Sequence, residues 1–300
     1  MTAPHPRAER PVLAPRHVKF DWQHTPLHWL PGDPFATHTI NVLHLLFPAG
    51  ELWFCRVYNK VLPHVTDPQV HADAKGFMRQ EAIHARSHEG VLNHYYQAHG
   101  MDARPFTARI ERLFGTWLGE TPFGLKIGHT RFWMRQQLGI IAALEHFFGY
   151  LGQWVLDAQG LDEAQPDPTM LDLLRWHGAE EVEHRTVAHD LFRHMGGTYV
   201  ERVVHMLLVM VILLTLILQG NRFLMKADPL RPADPGLVRG WWRSARAGRL
   251  PNLISVMAAA ARYFSPWFHP GGEGDTAKAL AYLARSPAAS AAQHGGSFQR

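Results

Sequence analysis

Two Glu-x-x-His motifs and two glutamates isolated in apolar runs constrain this chain more than any other feature of its sequence. The motifs are Glu81-Ala82-Ile83-His84 and Glu181-Val182-Glu183-His184. On a helix, residues three apart share a face, so each motif offers one carboxylate and one imidazole to a common point. Glu51 follows Phe47-Pro48-Ala49-Gly50 and precedes Leu52-Trp53-Phe54, and Glu145 sits between Ile140-Ile141-Ala142-Ala143-Leu144 and His146-Phe147-Phe148. Burying a lone carboxylate in such a run is costly unless it is paired or bound to a cation.

The four elements fall on four separate helical stretches. The first is predicted from Thr37 to Val61, with a kink expected at Pro48 beside Glu51. The second starts at Asp67-Pro68, an N-cap with proline in the first turn, and ends near Gly100. A shorter helix, Phe106 to Leu118, precedes a long one expected from Pro122 to Gln159. Asp167-Pro168 opens the next, which should run to Gly196-Gly197, and Tyr199 to Lys226 follows. No segment alternates with period two for long enough to make a sheet. The expected fold is therefore all-α: a ferritin-like four-helix bundle, an additional hydrophobic helix and a helical C-terminal extension. The divisions read from composition are an extended arm over residues 1–35, the bundle over 36–227, a basic, Trp-rich extension over 228–270 and a poorly ordered tail over 271–300.

Glu51, Glu81, Glu145 and Glu181 offset the charge of two divalent cations, with His84 and His184 completing the set. Oxygen and imidazole donors suit two iron ions, with manganese as the other choice. His177, four residues before Glu181, is either a third imidazole ligand or a histidine supporting the ligands. His88, four after His84, is read as a support or core polar contact rather than a ligand. Gln80 and Glu180 are expected to orient ligand imidazoles across the bundle. Glu183 is expected to face solvent, and Asp190 to cap or pair with an arginine.

Hydrophobic residues make up 46% of the chain and charged ones 19%, which excludes a disordered protein. The formal net charge is only +4, and nucleic acid is not expected as a partner. The single cysteine, Cys55, excludes a disulfide framework and fits a reducing cytoplasm; the Pro/His/Arg-rich start carries no secretory signal. The apolar run Val203–Leu218 reaches roughly 24 Å at about 1.5 Å per residue, short of a usual span. A soluble cytoplasmic bundle with peripheral membrane contact through 203–226 and 239–249 is the reading taken. A homodimer is left open.

The chain also resembles a bacterial ferritin-like family catalogued as predicted metal-dependent hydrolases, over roughly residues 16 to 270. The likeness rests on Asp21-Trp22, His28-Trp29-Leu30, Phe47-Pro48-Ala49-Gly50-Glu51, Gln80-Glu81-Ala82-Ile83-His84, Trp176-His177, Glu180-Glu181-Val182-Glu183-His184 and Tyr263-Phe264-Ser265-Pro266-Trp267-Phe268-His269-Pro270. Over the metal helices alone, the His177-x-x-x-Glu181-x-x-His184 spacing is similar to that of di-iron arylamine N-oxygenases. That likeness implies a seven-ligand set: Glu51, Glu81, His84, Glu145, His177, Glu181 and His184. The leading expectation is thus a di-iron oxygenase that acts on a small hydrophobic or aromatic substrate, with dioxygen and an electron donor as partners. The alternative is a hydrolase whose dinuclear centre activates water. Iron storage or a purely structural site is a third reading, weakened by the long C-terminal extension.

Overall fold

The computed structural model describes residues 13–295, and every regular element among them is a helix. Four helices form the frame: α1 (Pro34–Val61), α2 (Pro68–Gly90), and, beyond the short α3 (Arg104–Arg112), α4 (Arg131–Asp157) and, after α5 (Gln159–Glu163), α6 (Pro168–His184). Packing runs in a ring, α1 on α2, α2 on α6, α6 on α4 and α4 on α1. The chain is an all-α bundle, as its periodicity predicts.

Both Asp-Pro pairs act as read. The Asp67 carboxylate accepts from the Gln69 and Val70 amides and starts α2, and Asp167 accepts from Met170 and starts α6. Asp33, likewise followed by proline, caps α1. α1 runs as one helix through Pro48, which lies about one turn before Glu51. Two boundaries differ from the sequence reading. α4 begins at Arg131 rather than Pro122, because Phe123 (φ 52°) and Gly124 (φ 80°) take left-handed backbone and leave Thr130 to cap the helix. The helix from Asp167 stops at His184; Arg185 and Thr186 form a turn before α7 (Val187–His194).

α8 (Tyr199–Ala227), opened by a Thr198/Glu201 capping box, lies across α1 and α4. It is the one helix among the described residues long and apolar enough to cross a membrane, with a mean hydropathy of 2.5 in its most apolar window. Its inward stripe of Met206, Val209, Asn221 and Leu224 is buried, while Val204, Leu207, Val211 and Leu214 are exposed.

α9 (Leu237–Arg246) packs on α1, and α10 (Leu253–Tyr263) on α4 and α8. The tail is not loose as far as it is described: α11 (Thr276–Leu283) and α12 (Pro287–Gly295) pack on α6. Buried Asp172 on α6 accepts from the Tyr282 hydroxyl and the Ala288 amide, and these bonds anchor an Ala-rich segment that composition alone reads as frayed. The segment before α1 is extended but built into the bundle, with Leu13, Trp22, Leu27, Trp29 and Leu30 all buried.

Candidate metal centre

The four frame helices bring all seven residues of the sequence-derived set to one place, and all are buried. Glu51 comes from α1, Glu81 and His84 from α2, Glu145 from α4, and His177, Glu181 and His184 from α6. Close packing of α4 on α6 brings Glu145 and Glu181 within reach of each other: a Cβ on Gly152 would stand 2.2 Å from the Gly178 carbonyl oxygen, so only glycine fits there.

Two overlapping groups of donors emerge. In one, ligating atoms of Glu81, Glu145, Glu181 and His184 all lie within 4.8 Å of one another; His184 Nε2 is 3.1 Å from Glu181 Oε2, 3.3 Å from Glu145 Oε2 and 3.4 Å from Glu81 Oε1. The other is built from the sets Glu51–Glu81–His84 and His84–His177–Glu181. There His177 Nε2 stands 2.7 Å from Glu181 Oε1 and 3.6 Å from Glu51 Oε1, and His84 Nδ1 is 3.6 Å from Glu181 Oε1. Glu81 and Glu181 belong to both groups, and the two oxygens of Glu181 point to different ones. Donors from all four frame helices thus converge on one buried place that could hold metal.

A plain hydrogen-bond network does not account for it. Both carboxylate oxygens of Glu51, Glu81 and Glu145 are buried without a hydrogen-bond partner, as is His84 Nδ1. Orphaned buried carboxylates are expensive, so the fold needs protons or cations here. Burial, followed by repulsion from Glu81, holds the Glu51 carboxyl well above the usual range; burial and then Glu181 do the same to Glu145. Burial also raises Glu81. At Glu181 burial is outweighed by the His184 and His177 imidazoles, which hold it low. His84 and His184 are raised in spite of burial, chiefly by the Glu180 hydrogen bond at the first and the Glu181 charge at the second. Two cations would satisfy the carboxylates without these protons, so the residues fit a dinuclear centre.

Each inward imidazole is held from behind. His84 Nε2 donates to Glu180 at 2.8 Å and His184 Nδ1 to Gln80 Oε1 at 3.2 Å, as the sequence suggested for Gln80 and Glu180. His177 turns Nδ1 to His88 Nε2 at 2.6 Å, and His88 Nδ1 meets His44 Nδ1 at 2.7 Å. Nε2 of neutral His177 donates to Glu181 Oε1 at 2.7 Å, so its Nδ1 accepts from His88 Nε2 and His88 Nδ1 accepts from His44 Nδ1; a cation on His177 Nε2 would reverse this relay. Burial holds His44 and His177 neutral, lowered to about 3 and about 4.

Glu183 is a correction. Instead of facing solvent it accepts from Gln80 at 2.9 Å and from Arg16 at 2.9 and 3.2 Å. Arg16 also donates to Glu180 at 2.7 Å, so one guanidinium on the N-terminal segment braces the groups that hold His84 and His184. Sequence reasoning missed Arg16 and His44. Neither has a local signal: Arg16 acts across 164 residues, and His44 is one of 21 histidines. It also missed His28 and His38, which share Asp228 Oδ2 at 2.6 and 2.8 Å and tie the loop before α1 and the first turns of α1 to the end of α8.

An apolar cavity adjoins the centre. Leu46, Phe54, Phe114, Ile140 and Phe148 line it, and Glu51 is its one charged lining residue among those described. Phe54 and Phe148 thus face the cavity, whereas Trp53 and Trp176 are core residues, the first donating to the Leu118 carbonyl and the second packed edge-on against His84.

A family model for predicted metal-dependent hydrolases matches residues 14–274. The chain belongs to that family. The match begins just before Arg16 and includes all seven inward residues as well as Gln80, Glu180 and Glu183. No curated protein and no solved structure matches the chain. The likeness to the N-oxygenases therefore rests on the spacing of His177, Glu181 and His184 alone.

Proposed function

We propose that this protein is a dinuclear metal-dependent hydrolase of ferritin-like architecture, holding two iron or manganese ions between Glu51, Glu81, His84, Glu145, His177, Glu181 and His184. The observation that carries this reading is the overlap of two donor groups through Glu81 and Glu181, with the oxygens of Glu51, Glu81 and Glu145 otherwise unpartnered. Family membership supports hydrolysis, and the donor set supports two hard or borderline cations. Two such ions supply an acidified water and an electrophile for the scissile bond.

The chain's own residues then have defined tasks. Glu81 and Glu181 would serve both ions, and Glu145 with His184 would complete the set at one of them. Glu51, at the wall of the cavity, is the ligand a substrate would meet first. With cations bound, His84, His177 and His184 would direct their outer protons to Glu180, His88 and Gln80, and the inner nitrogens of His177 and His184, which otherwise bond to Glu181, would be free to ligate. Phe54, Phe114 and Phe148 exclude bulk water from the approach.

A second reading, oxidation by dioxygen with an external electron donor, is favoured by one observation: apart from Glu51 the cavity offers no charged group to orient a polar scissile bond. Metal analysis after loading with Fe(II) or Mn(II) should find two equivalents, falling to one or none in Glu81→Ala and Glu181→Ala; full retention in both variants would refute the centre. Ester hydrolysis that persists anaerobically supports the first reading. Oxygen consumption and a visible absorption band on exposing the reduced protein to air, without hydrolysis, would replace it by the second.

A further inference from the structure

α8 is apolar on both sides. The stripe that packs on α1 and α4 is accounted for by the fold. The opposite stripe, Val200, Val204, Leu207, Val211 and Leu214, is exposed, at 67%, 54%, 51%, 66% and 55%. Its spacing of three and four residues makes one continuous line of about 21 Å. A surface of that kind in water is unfavourable and marks a partner. The line continues into exposed Arg222 and Lys226, which places two cations at its C-terminal end.

The cavity that ends at Glu51 lies under this helix. Val209, Ile212, Leu213 and Leu216 of α8 form one wall, and Leu113 and Leu118 face them from the segment after α3. Ile212, Leu213, Leu216, Leu113 and Leu118 are all partly exposed, so the rim is aliphatic, and its α8 part lies on the same helix as the outer stripe. Leu118 leads into a loop that exposes Phe123 (81%) and Leu125, and Phe132 is exposed in the first turn of α4. Among the lining residues Glu51 alone carries a hydrogen-bonding side chain, so the lining suits an apolar chain.

We propose that the substrate is a lipid with a long acyl chain, drawn directly from a bilayer in whose surface α8 lies, and that the cavity under α8 is its passage to Glu51. The substrate assignment rests on the metal-centre reading; the membrane surface does not. A spanning arrangement is excluded by the inner stripe, which is committed to α1 and α4. Arg222 and Lys226 match anionic headgroups. A second copy seated on α8 would cover the rim and seal the passage, whereas a bilayer presents acyl chains to it.

The test uses the full metal-loaded chain and three measurements. Flotation with phosphatidylcholine vesicles, with and without phosphatidylglycerol, should show binding that strengthens with the anionic lipid. Val211→Glu/Leu214→Glu should weaken it by at least about tenfold while metal content and melting temperature stay unchanged. The part of the tryptophan quenching by a brominated fatty acid that Trp53→Phe removes, among the chain's 10 tryptophans, should report occupancy beside Trp53, which packs on Phe114 of the cavity wall. Leu213→Phe/Leu216→Phe, which narrows the passage, should abolish that quenching and keep vesicle binding. Wild-type protein that stays with the aqueous fraction overturns the proposal. So does a dimer in lipid-free buffer that Val211→Glu/Leu214→Glu splits, since a second copy then owns the face. Vesicle binding with quenching unaltered in Leu213→Phe/Leu216→Phe overturns the passage. Loss of the metal centre would instead appear in the metal analysis, with flotation intact.

Discussion

Arg16 is the residue on which the outer layer of the centre converges. Its guanidinium meets Glu180 and Glu183, and those two carboxylates fix His84 directly and His184 through Gln80. Removing it leaves two buried carboxylates facing each other and frees both imidazoles. Arg16→Ala is therefore expected to weaken metal binding by about 10–100-fold, the usual cost of losing a group behind a ligand. Arg16→Lys should recover only part, because a point charge cannot serve two carboxylates as a planar fork does. Competition with a chromogenic chelator measures both; wild-type affinity in Arg16→Ala would refute the brace. At this scale the inner carboxylates were legible because each is expensive where it sits: Glu51 and Glu145 stand out against apolar neighbours, and Glu81 and Glu181 carry a helical partner. The brace was not legible. Glu183 sits beside ordinary polar residues in the sequence, and the fold buries it only by laying the N-terminal segment over α6.

Among elements, the contact that sets the geometry is α4 on α6. Gly152 and Gly178 let the two backbones touch, so that Glu145, two turns from Gly152, meets Glu181, about one turn from Gly178. A Cβ on Gly178 would stand 2.8 Å from the Gly152 Cα and from the Val155 side chain, so the helices must separate to admit one. Gly178→Val is expected to cost about 3 kcal/mol or more and to release metal from the group containing Glu145 before the one containing Glu51. Urea unfolding and metal stoichiometry test the two halves of that statement. The helices themselves were largely legible, since Asp67-Pro68 and Asp167-Pro168 announce starts that depend only on local backbone chemistry. The break at Arg185-Thr186 and the ordering of the tail were not. Arg185 instead bonds to the Pro270 carbonyl and Thr276, and the tail is held by Asp172, all contacts between residues remote in the chain.

Across the whole molecule, the centre makes stability depend on metal and pH together. In metal-free protein Glu51, Glu81 and Glu145 are raised, chiefly by burial, and His84 and His184 are raised by their carboxylate partners. A raised group stabilises the fold below its unfolded value, near 4.3 for glutamate and 6.5 for histidine, and that stability is lost as pH rises through the folded value. Other buried histidines act in the opposite sense. Burial lowers His44 and His189 to about 3, so each favours the fold above pH ~6.5 and withdraws support as pH falls, by up to about 1.4 kcal/mol per pH unit. Only about one unit above pH ~6.5 are these lowered histidines neutral in both states and without slope, leaving the raised groups. Metal-free protein should therefore lose melting temperature from pH ~7.5 upward, while loaded protein, whose carboxylates are already neutralised by cations, should not. The stabilisation conferred by metal must then widen as pH rises. Melting curves of chelated and reloaded protein across that range decide it, and a constant or shrinking gap would mean that the carboxylates, once buried without their cations, find some neutralisation other than their own protons.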